Sequence, residues 1–163
     1  MLKYLARRLL YSFRKDAVTI DALDNKQRNE ESDMGNIKAV FVGTGMIGAG
    51  LAANAMLNGY QTVLYDVVPH EKMRQNISHI LDILVGAGAA TREQADAALN
   101  ACHFSNDLED AVKGANFVQE CIPERLELKK STYATIQKVT GPDAIICSST
   151  SKLFPTKLQE GSL

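Results

Sequence analysis

Three glycines and one aspartate have the types and spacing that suit a dinucleotide. Gly43, Gly45 and Gly48 form a GxGxxG pattern that follows an apolar run and opens a helical segment, and Asp66 ends the next apolar run. The first glycine permits a tight turn, the second lets the backbone approach a pyrophosphate, and the third lets the helix pack closely on a strand. In this context the pattern is typical of a dinucleotide-binding turn rather than of a glycine-rich turn without a ligand.

The residues around this pattern favour NAD over NADP. Asp66 would accept hydrogen bonds from the adenine ribose hydroxyls, and its carboxylate would repel a 2′-phosphate. Residues 67–69, which follow it, include no arginine that could hold such a phosphate. We therefore expect NAD as the cofactor, with its pyrophosphate on the helix N-terminus. The expected contacts are Gly43, Thr44, Gly45, Met46, Ile47, Gly48 and Asp66.

A second group of polar side chains follows a later apolar run. Residues 144–147 lead into Ser148, Ser149, Thr150 and Ser151. These hydroxyls could hold a ribose, a nicotinamide amide or a substrate hydroxyl, or they could form a plain turn or helix cap.

These residues need strands before them and helices after them, and the apolar periodicity predicts both. The pattern predicts strands at 37–42, 61–65, 102–104, 116–121 and 144–148, with helices near 46–58, 70–86, 91–100, 107–113 and 125–139. Alternating strands and helices are typical of an α/β fold, here a doubly wound parallel sheet of Rossmann type in the order 3-2-1-4-5. Capping signals occur at Thr91 with Gln94 and at Asn106 with Glu109.

Composition sets further bounds. The chain has 163 residues, 45% of them hydrophobic and 23% charged, and a net charge of −1. We expect no nucleic-acid partner, because no basic patch interleaves with aromatic residues, and no membrane span, because no apolar run is long enough. The three cysteines show no CxxC spacing and lie beside apolar runs, so we expect reduced thiols rather than a metal site.

The N-terminal 33 residues differ from the rest. Residues 1–15 combine basic and apolar side chains without an acid, and residues 16–33 are polar and acidic. A mitochondrial transit peptide and a surface-binding helix both have this character, and Met34 leaves open an upstream extension or a wrongly chosen start. We predict a basic extension with an acidic linker over 1–33 and a Rossmann domain over 34–163. The expected location is cytoplasmic, with mitochondria as the alternative.

Three separated motifs resemble the NAD-binding domain of the 3-hydroxyacyl-CoA dehydrogenase superfamily. They are VGTGMIGAG at 42–50, QECIPERLELKK at 119–130 and SSTS at 148–151. The resemblance covers about residues 36–163. The second and third motifs are more similar to the carnitine dehydrogenase and lambda-crystallin/L-gulonate dehydrogenase branch than to the fatty-acid enzymes.

The resemblance implies roles for four further residues. Glu124 corresponds to a glutamate near the nicotinamide ribose, and Lys129 to a lysine on the same side of the cofactor. Ser149 stands where the acyl-CoA enzymes usually have asparagine, and Ser151 matches a serine that contacts the substrate hydroxyl. Residue chemistry alone also allows Glu124 to be a helix N-terminal acid and Lys129 a solvated lysine.

The resemblance also implies parts that the chain as given lacks. The family's general base is a histidine paired with a glutamate, beyond the serine motif and on or after a sixth strand. A C-terminal helical domain then closes over the substrate and makes the dimer. We expect His70, His79 and His103 to be surface or packing residues, which cannot replace that base.

The chain as given is therefore expected to bind NAD without turnover. A full-length form would be an oxidoreductase that oxidises a 3-hydroxyl group to a ketone, and a homodimer. A non-catalytic dinucleotide-binding module and a truncated gene product are the alternatives.

One stretch bears on the substrate. Between Arg74 and Arg92 the chain has no lysine or arginine, and it carries Asp82. The acyl-CoA members use basic and polar residues of this helix to hold the anionic CoA. We therefore favour a small 3-hydroxy acid, such as carnitine or a sugar acid, over a 3-hydroxyacyl thioester.

Overall fold

The computed structural model describes residues 36–160, in which strands and helices alternate. The elements are β1 Lys38–Val42, α1 Met46–Leu57, β2 Gln61–Tyr65, α2 His70–Gly86, α3 Arg92–Ala101, β3 His103–Ser105, α4 Leu108–Val112, β4 Phe117–Glu120, α5 Leu126–Val139, β5 Ile145–Ser148 and α6 Pro155–Gln159. The extension predicted over residues 1–33 lies outside the described residues and stays a prediction. No helix within the described part is long and apolar enough to cross a membrane.

The five strands form one parallel sheet in the order β3-β2-β1-β4-β5, which confirms the Rossmann-type prediction. Val40 in the central strand β1 lies opposite Val63 of β2 and Val118 of β4. Because the strand order reverses between β1 and β4, the loops that follow these two strands diverge. Ligands of open α/β sheets bind in the crevice at this switch point, outside the carboxyl ends of the strands.

Hydrophobic side chains cover both faces of the sheet. In β1, Ala39 and Phe41 belong to a core cluster with α1 and α2, whereas Val40 and Val42 belong to a second cluster with α4 and α5. This alternation follows from the two-residue period of a strand. The buried positions of α1 are nearly all glycine or alanine, so the helix that follows the glycine pattern can lie close to the sheet.

The two predicted helix caps have different outcomes, and one helix is new. Thr91 and Gln94 form the predicted capping box at the start of α3. The predicted cap at Asn106 is wrong: Asp107 caps α4 and accepts a hydrogen bond from the Asp110 N–H. The Asn106 amide instead donates to backbone oxygens of the β2–α2 connection. The short helix α6 was not predicted, and it begins at a proline, which suits the first helical position.

Candidate functional site

Gly43 makes the tight turn between β1 and α1. Its φ of +100° lies in the region that favours glycine, and its N–H donates to the Tyr65 carbonyl oxygen at 2.8 Å. A Cβ atom added here would lie 2.8 Å from the carbonyl oxygen of Cys121, just after β4. The turn thus needs glycine both for its backbone conformation and for its close approach to the end of β4.

Gly45 and Gly48 differ in what the protein requires of them. A Cβ atom at Gly48 would lie 1.9 Å from the Gly43 carbonyl oxygen, so close packing within the protein excludes a side chain there. At Gly45 an added Cβ would meet no protein atom within 4 Å, and its φ of −65° and ψ of −176° are open to any residue. The protein therefore does not itself need glycine at position 45. The open space beside Gly45, which a Cβ atom would fill, is suited to a pyrophosphate that comes close to the backbone.

The start of α1 is suited to an anion. Gly45 is the N-cap and supplies no side-chain cap, and the first turn contains no acidic residue. The N–H groups of the first turn have no partner within the helix, and the helix dipole is positive at this end. Met46 and Ile47, both predicted cofactor contacts, are 85% and 60% exposed beside these N–H groups. The loop thus offers free donors flanked by apolar side chains.

Asp66 lies against the glycine loop. Its Oδ2 accepts hydrogen bonds from the Thr44 N–H and the Thr44 hydroxyl, each at 2.7 Å, and its Oδ1 accepts from the Val67 N–H at 2.7 Å. Thr44 is fully buried, and its carbonyl oxygen accepts from the Asn76 amide at 2.9 Å. A carboxylate has about four acceptor positions, so a ribose hydroxyl would use the remaining position or displace one of these donors.

A fully buried carboxylate ends β4. Glu120 has an exposed fraction of 0%. Its Oε1 accepts from the Lys129 ammonium and the Ile122 N–H, each at 2.6 Å. Its Oε2 accepts from the Tyr133 hydroxyl at 2.5 Å and the Ser148 hydroxyl at 2.6 Å. Burial and the bond to this carboxylate raise the pKa of Tyr133 well above its usual value, so the tyrosine stays a donor.

The predicted residues at the ends of β4 and β5 come together. Glu124 accepts from the Thr150 hydroxyl and the Ser151 N–H, each at 2.7 Å. These bonds lower the pKa of Glu124 below its usual range. The Ser149 hydroxyl accepts from the Gln119 amide at 3.0 Å and lies 3.2 Å from the Cys121 sulfur.

Lys129 is only 1% exposed, and its ammonium lies 2.6 Å from Glu120 and 3.9 Å from Glu124. It is therefore not the solvated lysine that the sequence also allowed. The cofactor roles of Glu124, Lys129 and Ser149 and the substrate role of Ser151 stay predictions.

Sequence reasoning missed Glu120 and Tyr133 as functional candidates, and it did not pair the Ser148 hydroxyl with either of them. One signal was present: Glu120 is the first of the two acids in the QECIPE motif and lies within the predicted strand 116–121. Its partners Tyr133 and Ser148 are 13 and 28 residues away in sequence. No local sequence pattern connects residues that far apart.

All histidines and cysteines of the chain lie within the described residues. Within residues 36–160, no group of three or more His, Cys, Asp or Glu side chains could hold a metal ion. His70 packs near the Phe104 ring, with centroids 6.4 Å apart. The three cysteines are partly buried and free. Burial raises the pKa of Cys102 to about 12 and also raises that of Cys121, which makes both poor nucleophiles.

Comparison with known proteins decides between the ligands that such a loop could hold. A family model described as the NAD-binding domain of 3-hydroxyacyl-CoA dehydrogenase matches residues 38–162. The chain belongs to this family. NAD is the cofactor of its domain, and the predicted superfamily and cofactor are confirmed.

Relatives and solved structures agree with this assignment. The NAD-binding domain is 37% identical to an L-carnitine dehydrogenase from a Pseudomonas species over 123 residues, which cover 74% of this chain and 37% of that protein. It is 34% identical to the human lambda-crystallin homolog over 125 residues, covering 75% of this chain and 39% of that protein. A crystal structure of 3-hydroxybutyryl-CoA dehydrogenase from Escherichia coli superposes with a TM-score of 0.70 at 28% identity, covering 78% and 27% of the two chains. The chain thus spans less than half the length of these relatives.

Proposed function

We propose that this chain supplies the NAD-binding part of an enzyme that oxidises a 3-hydroxyl group to a ketone. The observation that carries the proposal is the open space at Gly45, beside uncapped N–H groups of α1 and next to the Asp66 carboxylate. When bound, NAD supplies the hydride acceptor for such an oxidation. The contribution of the chain is to hold and orient that acceptor.

The residues divide between two halves of the cofactor. The glycine loop and Asp66 would hold the diphosphate and the adenine ribose. The segment 148–151 begins at the last residue of β5, on the other side of the switch point, and with Glu124 it would face the nicotinamide half. Its hydroxyl and N–H groups could then orient both the nicotinamide ribose and the substrate hydroxyl.

We further propose that the 163-residue polypeptide by itself binds NAD without turnover. Oxidation of a hydroxyl group requires a base that removes its proton, and the family resemblance implies a histidine downstream of Ser151. His70 and His79 lie on α2, after β2, and His103 begins β3. These elements are on the opposite side of β1 from β5, so none of the three suits that role.

A small 3-hydroxy acid is the proposed substrate class. On α2 and α3, the Arg74 guanidinium donates to the Asn100 side chain at 3.1 Å, and Arg92 pairs with Asp82 at 2.8 Å. Both arginines are thus engaged within the protein, and Lys72 in the first turn of α2 is the remaining lysine or arginine of these two helices, so few cations are left to pair with the phosphates of CoA. The likeness to an L-carnitine dehydrogenase supports the same choice. Micromolar binding of CoA in a calorimetric titration would contradict it.

The test of cofactor binding is a pair of glycine variants in the 163-residue chain. Gly45→Val puts a branched side chain into space that no protein atom occupies. We expect it to abolish NADH binding, followed by NADH fluorescence, and to leave the melting temperature nearly unchanged. Gly50→Ala, in the helix that follows Gly45 and equally free of neighbours around an added Cβ, is the control and should bind NADH normally. Wild-type affinity in Gly45→Val would refute the placement of the diphosphate.

A further inference from the structure

Glu120 is buried in a way that calls for an explanation beyond stability. An ionised side chain with 0% exposure is costly to remove from water, and a buried ion pair often stabilises a protein no more than apolar side chains of similar volume would. Buried ionic groups can instead serve to fix one arrangement of the chain. The segments that donate hydrogen bonds to Glu120 show which part of the chain it holds in place.

Its four donors come from three segments around the carboxyl edge of the sheet. The Ile122 N–H belongs to the connection after β4, Lys129 and Tyr133 lie one turn apart on α5, and Ser148 ends β5. All of these lie on the β4–β5 side of the switch point. Within residues 36–160, the hydrogen bonds to this carboxylate come from these three segments and not from the glycine loop or Asp66.

Glu120 bonds to segment 148–151 once through its side chain and once through its backbone. The Ser148 hydroxyl donates to the Glu120 carboxylate and accepts from the Thr150 N–H at 3.1 Å. The Ser149 N–H donates to the Glu120 carbonyl oxygen at 2.9 Å. The Glu120 carboxylate also acts on Glu124 indirectly, because the Lys129 ammonium lies near both carboxylates. Glu124 in turn accepts hydrogen bonds from Thr150 and Ser151.

We propose that Glu120 is a positioning residue for the nicotinamide half of the cofactor site, because its buried carboxylate holds the segment 148–151 and Glu124 in one arrangement. This inference rests on the proposed NAD-binding function. It assigns to Glu120 no contact with the cofactor. It separates the site into two halves, of which only the one beyond the switch point depends on this carboxylate.

The test compares NADH with ADP, which has the adenosine and diphosphate but lacks the nicotinamide riboside. Glu120→Gln alone would leave the Lys129 ammonium buried without its main partner, so Glu120→Gln is combined with Lys129→Met to remove both charges. In this double variant we expect the Kd for ADP to stay within about twofold of wild type, whereas NADH binding weakens about tenfold, the effect of losing one or two hydrogen bonds. The emission maximum of bound NADH should also shift toward that of free NADH.

Two further variants keep the test decisive. Tyr133→Phe removes one donor from Oε2, the oxygen that also accepts from the Ser148 hydroxyl, and it leaves the carboxylate and its bond to Ser148 in place. It should lower the melting temperature and leave the ratio of the two Kd values unchanged. Glu120→Asp keeps both the charge and Lys129, which is itself a predicted cofactor contact, but shortens the side chain. We expect it to lower the NADH advantage as well, which assigns the effect to Glu120 and not to the loss of Lys129; an unchanged advantage would overturn the role of Glu120.

The outcomes separate the two proposals. Wild-type chain that binds neither ADP nor NADH would overturn the proposed function, and this inference with it. Wild-type chain that binds both equally well would leave cofactor binding standing and overturn only the role of Glu120. The role of Glu120 would also be overturned if the double variant raised the Kd values of NADH and ADP by the same factor, or raised neither. Either result would leave Glu120 with a stabilising role only.

Discussion

Replacement of Gly48 by alanine is the sharpest test of the glycine loop. The added Cβ would lie 1.9 Å from the Gly43 carbonyl oxygen and 3.2 Å from the Cys121 Cβ. The close oxygen belongs to the backbone, so no side-chain rotation can relieve the clash. To reach ordinary van der Waals contact, which begins near 3.4 Å, the two atoms must separate by about 1.5 Å. That movement displaces the turn between β1 and α1.

The expected destabilisation follows from two opposing effects. Overpacking in a close-packed region costs about 1–3 kcal/mol, and the backbone contact places Gly48→Ala at about 3 kcal/mol. Alanine within a helix recovers about 1 kcal/mol relative to glycine. The net loss is therefore about 2 kcal/mol, or a fall in the melting temperature of roughly 4–8 °C for a domain of this size.

Gly50→Ala isolates the second effect. Gly50 lies in the same helix, and an added Cβ there meets nothing within 4 Å, so this variant should gain up to about 1 kcal/mol. Urea unfolding of both variants measures the difference, and NADH titration measures the loop. We expect NADH affinity to fall at least tenfold in Gly48→Ala only. Equal stability of the two variants, or equal NADH affinity, would refute the packing argument.

Three further predictions concern ionisable groups. Asp66→Asn removes the charge that would repel a 2′-phosphate, so the preference for NADH over NADPH should fall about tenfold; an unchanged ratio of Kd values would contradict the ribose role. The Ser151 N–H and the Thr150 hydroxyl lower the pKa of Glu124. Its carboxylate therefore stabilises the fold above the unfolded-state pKa of about 4.3, and the contribution is lost as pH falls through the folded-state value. Glu124→Gln should be less stable than wild type at pH 7, and in urea unfolding the difference should shrink as pH falls below about 4.3; a difference that stays the same in acid would argue against this. Because burial raises the pKa of Cys102 to about 12, its alkylation by iodoacetamide at pH 8 should be about a thousandfold slower than in the unfolded chain, and comparable rates would show that the thiol is accessible.

The sequence was sufficient to predict the strands, the sheet order and the glycine loop, because each depends on local patterns. An apolar run, a GxGxxG turn and an amphipathic helix occupy consecutive residues, and the parallel order follows from their alternation. The helix cap at Asn106 was wrong for a physical reason. Asn106 and Asp107 are both good N-cap residues. Asp107 is the cap because the Asn106 side chain is engaged elsewhere, in a hydrogen bond to the Asp66 carbonyl oxygen.

The buried charge cluster could not be predicted in the same way. Glu120 is one polar residue at a strand end, and its burial depends on the packing of α5 and on the position of β5 beside β4. Lys129 and Lys130 are adjacent on the same helix, yet only the Lys129 ammonium pairs with the carboxylate of Glu120, whereas Lys130 pairs with Glu160. Which member of a charged helix turns inward is decided by tertiary contacts.

The central pairing of the sheet has a consequence for the order of folding during synthesis. Beside that pairing, the Lys38 N–H bonds to the side chain of Asn116, 78 residues away, so β1 gains its β4 neighbour only late in translation. Gly43 packs against Cys121, just past β4, and a nascent chain that stops at β3 therefore has the whole glycine pattern but not the surface that shapes it. Non-local contacts of this kind slow folding. We expect NAD to protect a nascent chain from proteolysis only after β4 has left the ribosome.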